Sequence, residues 1–300
     1  MLQDVRYFFD RRGYLEVETP ILSRFGNTDP YIESFQVKAT KDHPTLFLHT
    51  SPEFFMKRLL AAGSGPIYQM CKVFREEELG RLHNPEFTLL EWYRPGYSYQ
   101  QLMGELGDFI REILGTPPSV KFTYRQVFEE ILNVDIFTAP PQVLQEIAIQ
   151  RGMHKPPNLG DDLDAWRNLL LSHFIEPALS HEHPVFIYDY PESQAALAVV
   201  RDDEYPVAER FELYIGGVEI ANGYQELDDV DELRRRFVCD QQQRTISGKP
   251  TIPKDEYLLE AVAHGIGFVS GVALGLDRLL MIKEKQSFFN EVATFSFDKV

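Results

Sequence analysis

Residues 67–93, IYQMCKVFREEELGRLHNPEFTLLEWY, constrain the fold of this chain more than any other stretch. β-Branched and aromatic residues over 67–77 and again over 86–93 predict two strands, and the polar run between them predicts a long loop. Side chains alternate between the two faces of a strand. On the second strand this places Phe87, Leu89, Glu91 and Tyr93 on one face and Glu86, Thr88, Leu90 and Trp92 on the other. On the first, Val73, Arg75 and Glu77 share a face. If the faces coincide, one sheet surface presents a cation, two carboxylates, an aromatic plate and a phenol. Such groups are costly to gather unless a charged, ring-bearing ligand meets them. Taken alone, the alternation also fits a solvated hairpin with scattered charges.

The rest of the chain bounds the setting. Three hundred residues, 44% hydrophobic and 25% charged, have the composition of an ordinary globular protein with ample core, and one large mixed domain is as expected as two smaller ones. No run of eighteen apolar residues exists, so neither a transmembrane helix nor a membrane partner is expected. The first residues mix acids and bases where a signal peptide needs an apolar run. Cys71 and Cys239 offer no disulfide framework, which suits a cytoplasmic protein. A formal charge of −16 argues against a large nucleic-acid footprint. Walker, G-x-S-x-G and dinucleotide fingerprints are absent from the sequence.

In chain order, apolar residues at Leu2, Val5, Phe8 and Phe9 predict a helix over 2–12, stopped by Gly13, with YLEVETPIL following as a strand closed by Pro20. The chain opens inside this helix, so a short preceding segment is expected. A strand, a turn near 42–44 and a strand over 46–49 lead to a helix for which Ser51 is a candidate N-cap, with Pro52 in the first turn and Glu53 on the positive helix end. Residues 99–114 read as an amphipathic helix, and 122–180 as helices broken at Pro140-Pro141 and Pro156-Pro157. His173, His181 and His183 lack ligand spacing for zinc and read as surface or capping residues. A strand over 184–190 follows.

Gly216-Gly217 predicts a tight hairpin that sets Tyr214 opposite Glu219 and Glu212 opposite Ala221. Glu212 and Glu219 are then diagonal neighbours whose repulsion a divalent cation would relieve. An exposed acidic edge that deters strand pairing is the alternative. Glu226 has the wrong parity for that face, which a bulge at Asn222-Gly223 would correct. Finally, GFVSGVALGLDRLLMIK predicts a strand, a glycine break and a helix with Asp277 and Arg278 in its first turn; Gly271, Ala273 and Gly275 let a ligand approach the backbone.

The string FREE-(x)5-HNPEFTLLEWY closely resembles motif 2 of class II aminoacyl-tRNA synthetases in their lysyl form. The helix–Gly–strand–Pro segment (about 5–20) is similar to motif 1, and SGVALGLDR within about 267–283 to motif 3, with motif 2 over about 67–94; VATFSF looks like the short strand that follows motif 3. The resemblance implies an α+β class II synthetase catalytic core, a single domain over 1–300 with an antiparallel sheet flanked by helices, forming a homodimer through motif 1. It implies that Arg75 clamps the α-phosphate of ATP and the amino acid carboxylate, and that Phe87 and Arg278 sandwich adenine. Glu76, Glu77, His83, Asn84, Ile220 and Gly275 would line the nucleotide, and Glu212 and Glu219 would hold magnesium (Mg2+). Glu53 would take the substrate amino group near the reacting end and Glu91, Tyr93 and Glu226 the distal ammonium, with Ser51, Pro52, Asn222 and Ala273 also lining the substrate. Arg75 and Arg278 would be the catalytic pair.

Two departures matter. Glu76 stands where lysyl-tRNA synthetases commonly have asparagine, and Ala273 where they have glycine, a methyl that would reshape the pocket floor and favour a shifted amino group. Nothing is left over for an anticodon-binding domain. Those features, with SPEFFMKRLLAAG and HNPEFTLLEWYRPGY, resemble the elongation factor P lysine ligase family. The resemblance implies ATP-dependent activation of lysine or (R)-β-lysine as an adenylate and transfer to a lysine of elongation factor P, with tRNA not expected as acceptor. A stand-alone tRNA-aminoacylating domain and a non-catalytic lysine sensor are the rival readings.

Overall fold

The structure is a computed structural model that describes residues 1–38, 45–76, 78–295 and 297–300. Its backbone divides into two compact units, Met1–Ser98 with Glu226–Val300, and Tyr99–Gln225.

The first unit opens with α1 (Leu2–Asp10), whose Val5, Phe8 and Phe9 are buried. Gly13 ends it at φ 72°, a left-handed conformation glycine adopts without strain. The strand expected over YLEVETPIL is instead two short ones, β1 (Leu15–Glu16) and β2 (Leu22–Ser23), separated where Pro20 removes a donor. β3 (Gln36–Val37) and β4 (Leu46–Leu48) pair antiparallel, and β2 joins β4; the turn expected near 42–44 lies outside the described residues. In α2 (Glu53–Ala61) the N-cap is Pro52, not Ser51, because the chain turns helical one residue later; Ser51 Oγ still accepts the Glu53 N–H at 3.0 Å.

β5 (Ile67–Phe74) and β6 (Glu86–Pro95) form the expected hairpin, the first strand ending three residues earlier than predicted. The late helices α7 (Val230–Ile246), α8 (Glu256–His264) and α9 (Leu276–Lys283), with β12 (Val269–Gly275), return to this unit. Its sheet runs β1-β5-β6-β12, antiparallel except for β1 with β5. The face away from α1 consequently carries rows of aligned side chains: Ile67–Tyr93–Gly271, Gln69–Glu91–Ala273, Cys71–Leu89–Gly275 and Val73–Phe87. The opposite face is sealed by Phe9, stacked on Tyr68 at 4.5 Å and edge-on to Trp92. Each such buried aromatic contributes on the order of 2–3 kcal/mol by removal from water. Among the described residues of 292–297 no strand forms, contrary to expectation; short 3-10 turns take its place.

The second unit holds α3 (Tyr99–Leu114), as predicted, then a strand the sequence reading missed, β7 (Val120–Thr123). Thr123 and Gln126 form a capping box that starts α4 (Tyr124–Leu132). Pro140 and Pro141 do not merely break helix here: they are the N-cap and first residue of α5 (Pro141–Gln150). α6 (Leu163–Leu170) continues into a π-helical turn at Leu171–Ile175. These helices bury Tyr124, Phe128, Trp166, Leu170 and Ile175 against β8 (Val185–Pro191). With β10 (Val207–Ile215) and β11 (Val218–Gln225), β8 and β7 give the order β11-β10-β8-β7, with β9 (Val200–Arg201) on β10. Only β7 and β8 pair parallel in this set.

Glycines 216 and 217 make the predicted two-residue turn, with Tyr214 opposite Glu219, but Glu212 faces Asn222 and not Ala221. Ile220 is the extra residue of a bulge, so the change of parity expected at Asn222-Gly223 occurs two residues earlier. Gly217, at φ 75°, leaves no room for a methyl: a Cβ there would lie 2.7 Å from the Glu176 carbonyl oxygen. Gly217→Ala should therefore destabilise the chain by about 2–3 kcal/mol. Chemical denaturation checks this, and a cost below about 0.5 kcal/mol would show that the turn relaxes freely.

Candidate active site

The row Gln69–Glu91–Ala273 lies at the centre of a buried polar cluster. Glu91 is 2% exposed, and its two oxygens accept from Ser51 Oγ at 2.7 Å and Tyr93 Oη at 2.7 Å. Both partners are neutral, and among the described residues Glu91 has no ion pair. Burial, reinforced by the charge of Glu53, pushes its pKa up to about 8, which leaves it protonated at neutral pH. Burial and the same carboxylates hold Tyr93 as a neutral phenol.

A second cluster adjoins on α2. Lys57, missed in the sequence reading, is buried with its Nζ 2.7 Å from Glu53 Oε1 and 2.6 Å from Glu226 Oε2. Burial disfavours its ammonium, but the charges of Glu226 and Glu53 outweigh this and leave its pKa raised. Burial pushes Glu226 up to about 7 against the pull of Lys57. The visible signal for Lys57 was its place four residues after Glu53, the spacing of a helical Glu–Lys pair. Gly271 makes the close packing possible, since a Cβ there would sit 2.4 Å from Glu226 Oε1 and from the Tyr93 ring. Gln69, also missed, is buried opposite Glu91, and its Oε1 has no partner among the described residues.

Further along the same strands, the Arg75 guanidinium lies 5.1 Å from the centre of the Phe87 ring, confirming that the two share a face. Arg75 reaches Glu78 at 3.4 Å, while its Nε is buried without a hydrogen-bond partner, a donor waiting for an anion. Arg278 Nη2 is 2.6 Å from His83 Nε2. Burial and then Arg278 depress the pKa of His83, so the neutral ring accepts from the guanidinium. Asn84 donates to the Glu86 carbonyl at 2.6 Å, which tightens the loop, whereas Glu76 is exposed and Glu77 lies outside the described residues. Asp277, buried enough to raise its pKa, accepts the Thr88 N–H at 2.6 Å and ties α9 to β6, with Gly275 as the N-cap of α9. A cleft of about 300 Å³ opens beside this loop, lined by Arg81, His83, Asn84, Phe288, Phe289 and Phe297.

In the second unit, Glu212 and Glu219 share a face and line a cleft of about 380 Å³ with Tyr214 and Glu176. The repulsion expected between them is already relieved: Glu212 is bonded by Arg210, Tyr190 and Tyr214. Arg210 also donates to Asn222 Oδ1 at 3.2 Å, and Ile220 is buried at the bulge. The carboxylate pair alone therefore does not demand a metal. Among the described residues no group of three or more His, Cys, Asp or Glu is arranged to hold one. Two carboxylates on one face, with phosphate oxygens added, remain a donor set suited to magnesium.

Residues 1–299 match the family model of class II tRNA synthetases (D, K and N). The chain belongs to that family. Its similarity to particular members is high: an elongation factor P--(R)-beta-lysine ligase of Edwardsiella ictaluri is 45% identical over 100% of this chain and 93% of the relative. Proteins of the same name from Erwinia tasmaniensis (44%, over 100% of this chain and 93% of the relative) and Haemophilus influenzae (45%, over 99% and 93%) are similar to the same degree. Among the described residues no helix is long and apolar enough to cross a membrane.

The raised pKa of Glu91 has a consequence for stability. A carboxyl of this kind takes up a proton on folding, so its burial penalty is absent below the unfolded value of 4.5 and complete above about 8. Glu91→Gln removes the penalty. Its melting temperature should exceed that of the unaltered protein most at pH 8–9, by the equivalent of roughly 4–5 kcal/mol, and converge with it towards pH 5. An offset independent of pH would mean that Glu91 is ionised at neutral pH.

Proposed function

We propose that this chain activates lysine or (R)-β-lysine with ATP as an aminoacyl-adenylate and transfers the acyl group to a lysine side chain of elongation factor P. The observation that carries this reading is Glu91: a buried carboxyl, bonded only by hydroxyls and set beside Glu53 and Glu226, is built to ionise when an ammonium arrives. The names of the relatives, each an elongation factor P--(R)-beta-lysine ligase, support the same reading.

In the first half-reaction the amino acid carboxylate attacks the α-phosphorus of ATP, and pyrophosphate leaves. Two anions must meet, so a planar, permanently charged fork is the appropriate clamp, and the unpartnered Nε of Arg75 offers one. Phe87 supplies the plate for adenine, and Arg278, held by neutral His83, covers its other face. Glu53 takes the amino group near the reacting carboxylate; Glu91, Tyr93 and Glu226 take the distal one. In the second unit Glu212 and Glu219 would hold magnesium, which neutralises phosphate charge when bound. In the second half-reaction an acceptor amine attacks the acyl carbon, the bond to AMP breaks, and a proton leaves the nitrogen.

A partner copy of the chain fits the apolar residues left exposed over 2–22, Leu2, Tyr7, Leu15, Ile21 and Leu22.

Intact mass of elongation factor P after incubation with the chain, ATP and (R)-β-lysine tests the reading directly. One added lysyl unit on the factor is expected, with total tRNA uncharged in a parallel tube. Charged tRNA and an unmodified factor would make the chain a synthetase instead. Glu226→Gln should raise the amino acid KM on the order of 30-fold and the ATP KM less than about threefold, because a charged hydrogen bond to the ammonium is lost. Equal effects on both constants would refute the assignment. Ala273 stands directly across from Glu91. Ala273→Gly should shift preference towards α-lysine, and an unchanged ratio of kcat/KM for the two isomers would remove Ala273 from the specificity.

A further inference from the structure

We propose that Lys57 is a resident counter-cation that fixes the site's appetite at two ammonium groups: it neutralises one of three clustered carboxylates, two of them buried, and leaves the substrate to neutralise the other two. The inference rests on the proposed amino acid activation and names how its substrate class is chosen.

Lys57 contacts Glu53 and Glu226 together, the two residues assigned to opposite ends of the amino acid. Its side chain is 3% exposed, on a stretch of α2 whose other buried side chains are Met56 and Leu60. A structural core position of this kind is filled as well or better by a methionine or leucine, since burying an ion pair rarely gains stability over packed hydrocarbon. The lysine is therefore explained by charge and not by packing. The groups facing it and its partners are accounted for strand by strand. β6 brings Glu91 and Tyr93, β5 brings Gln69 and Cys71, and β12 brings only Gly271 and Ala273. Of these the one further carboxyl is Glu91, whose bonds come from Ser51 and Tyr93 hydroxyls.

With all groups ionised, three carboxylates face one lysine ammonium, an excess of two negative charges. A substrate with two ammonium groups closes that account, whereas a mono-amino acid leaves a buried carboxylate unpaired or protonated. Without Lys57 even a diamino acid leaves one negative charge over. Lys57 is a positioning residue: it reaches the substrate only through Glu53 and Glu226, whose second oxygens it leaves to the ligand.

The test is titration calorimetry of the full chain with L-lysine and separately with ATP, for the unaltered protein, Lys57→Ala and Lys57→Met. Lys57→Ala should weaken lysine binding about 30-fold and ATP binding less than about threefold. Added n-propylammonium, which replaces the missing stem and charge, should restore most of the lysine affinity, while the neutral isostere n-propanol should not. Should the alanine variant fail to fold, Lys57→Met keeps the stem volume and should show the same selective loss. Lysine affinity unchanged in Lys57→Met, equal loss for ATP, or equal rescue by propanol would each overturn the inference. So would failure of the unaltered protein to bind lysine. Failure of the activation reading looks different: lysine binds with the expected dependence on Lys57, yet no lysine-dependent exchange of pyrophosphate into ATP occurs.

Discussion

The site of the first unit depends on the pairing register of three strands. β6 is flanked by β5 and β12, and the ladder aligns Gln69, Glu91 and Ala273 in one row and Ile67, Tyr93 and Gly271 in the next. A slip of one residue would turn every one of these side chains to the opposite face, where Phe9, Tyr68 and Trp92 pack. The aromatic cluster thus fixes the register from behind, because only one alignment buries Tyr68 and Trp92 against α1. Packing on one face holds the chemistry in place on the other. Asp277 reinforces the arrangement by accepting the Thr88 N–H, which anchors the first turn of α9, and so Arg278, to the strand carrying Phe87.

That rigidity allows groups to be buried that would otherwise be expelled. Lys57, Glu91 and Glu226 are held on α2, β6 and the chain just before α7, each almost wholly withdrawn from water. Desolvation that raises the pKa of Glu91 also makes an arriving ammonium worth more than it would be in water, since the low dielectric magnifies the attraction. Under the proposed function, stability lost to this burial would reappear as selectivity for the substrate ammonium groups. Arg210 shows the contrasting arrangement in the second unit. There Glu212 is satisfied in advance by a guanidinium and two phenols.

Much of this was legible in the sequence, and the parts that were not have physical reasons. Alternation over 67–93 placed Arg75 and Phe87 on one face, and Glu91 and Tyr93 with them, because a half-buried strand must repeat every two residues. The amphipathic helix at Tyr99–Leu114 was equally plain. β7 was hidden because four residues are too few to show a period before the capping box begins α4. The bulge at Ile220 left no local mark; it is a property of how two strands pack, not of the residue. The Lys57–Glu226 pair joins residues far apart in the chain, and only its helical half, Glu53 and Lys57, was written at readable spacing. Ser51 was legible as a cap, but its second role, donating to Glu91, needed the strand to be in place.

Charge cannot tell lysine from (R)-β-lysine, since both carry two ammonium groups and one carboxylate. A pocket balanced by Lys57 would reject mono-amino acids and still admit either isomer. What separates the isomers is the position of one nitrogen along the chain, and that is a question of shape. The floor beneath Glu91 and Tyr93 is set by β12, where Gly271 leaves no space for a methyl and Ala273, the neighbour of Glu91, adds one. A single methyl in a tight pocket discriminates by about 1–3 kcal/mol, enough for a preference of ten- to a hundredfold but not for exclusion. Under the proposed function the labour would divide accordingly: the carboxylates would select the class of substrate strongly, because an unpaired buried charge is so costly, and the sheet floor would then rank the members of that class.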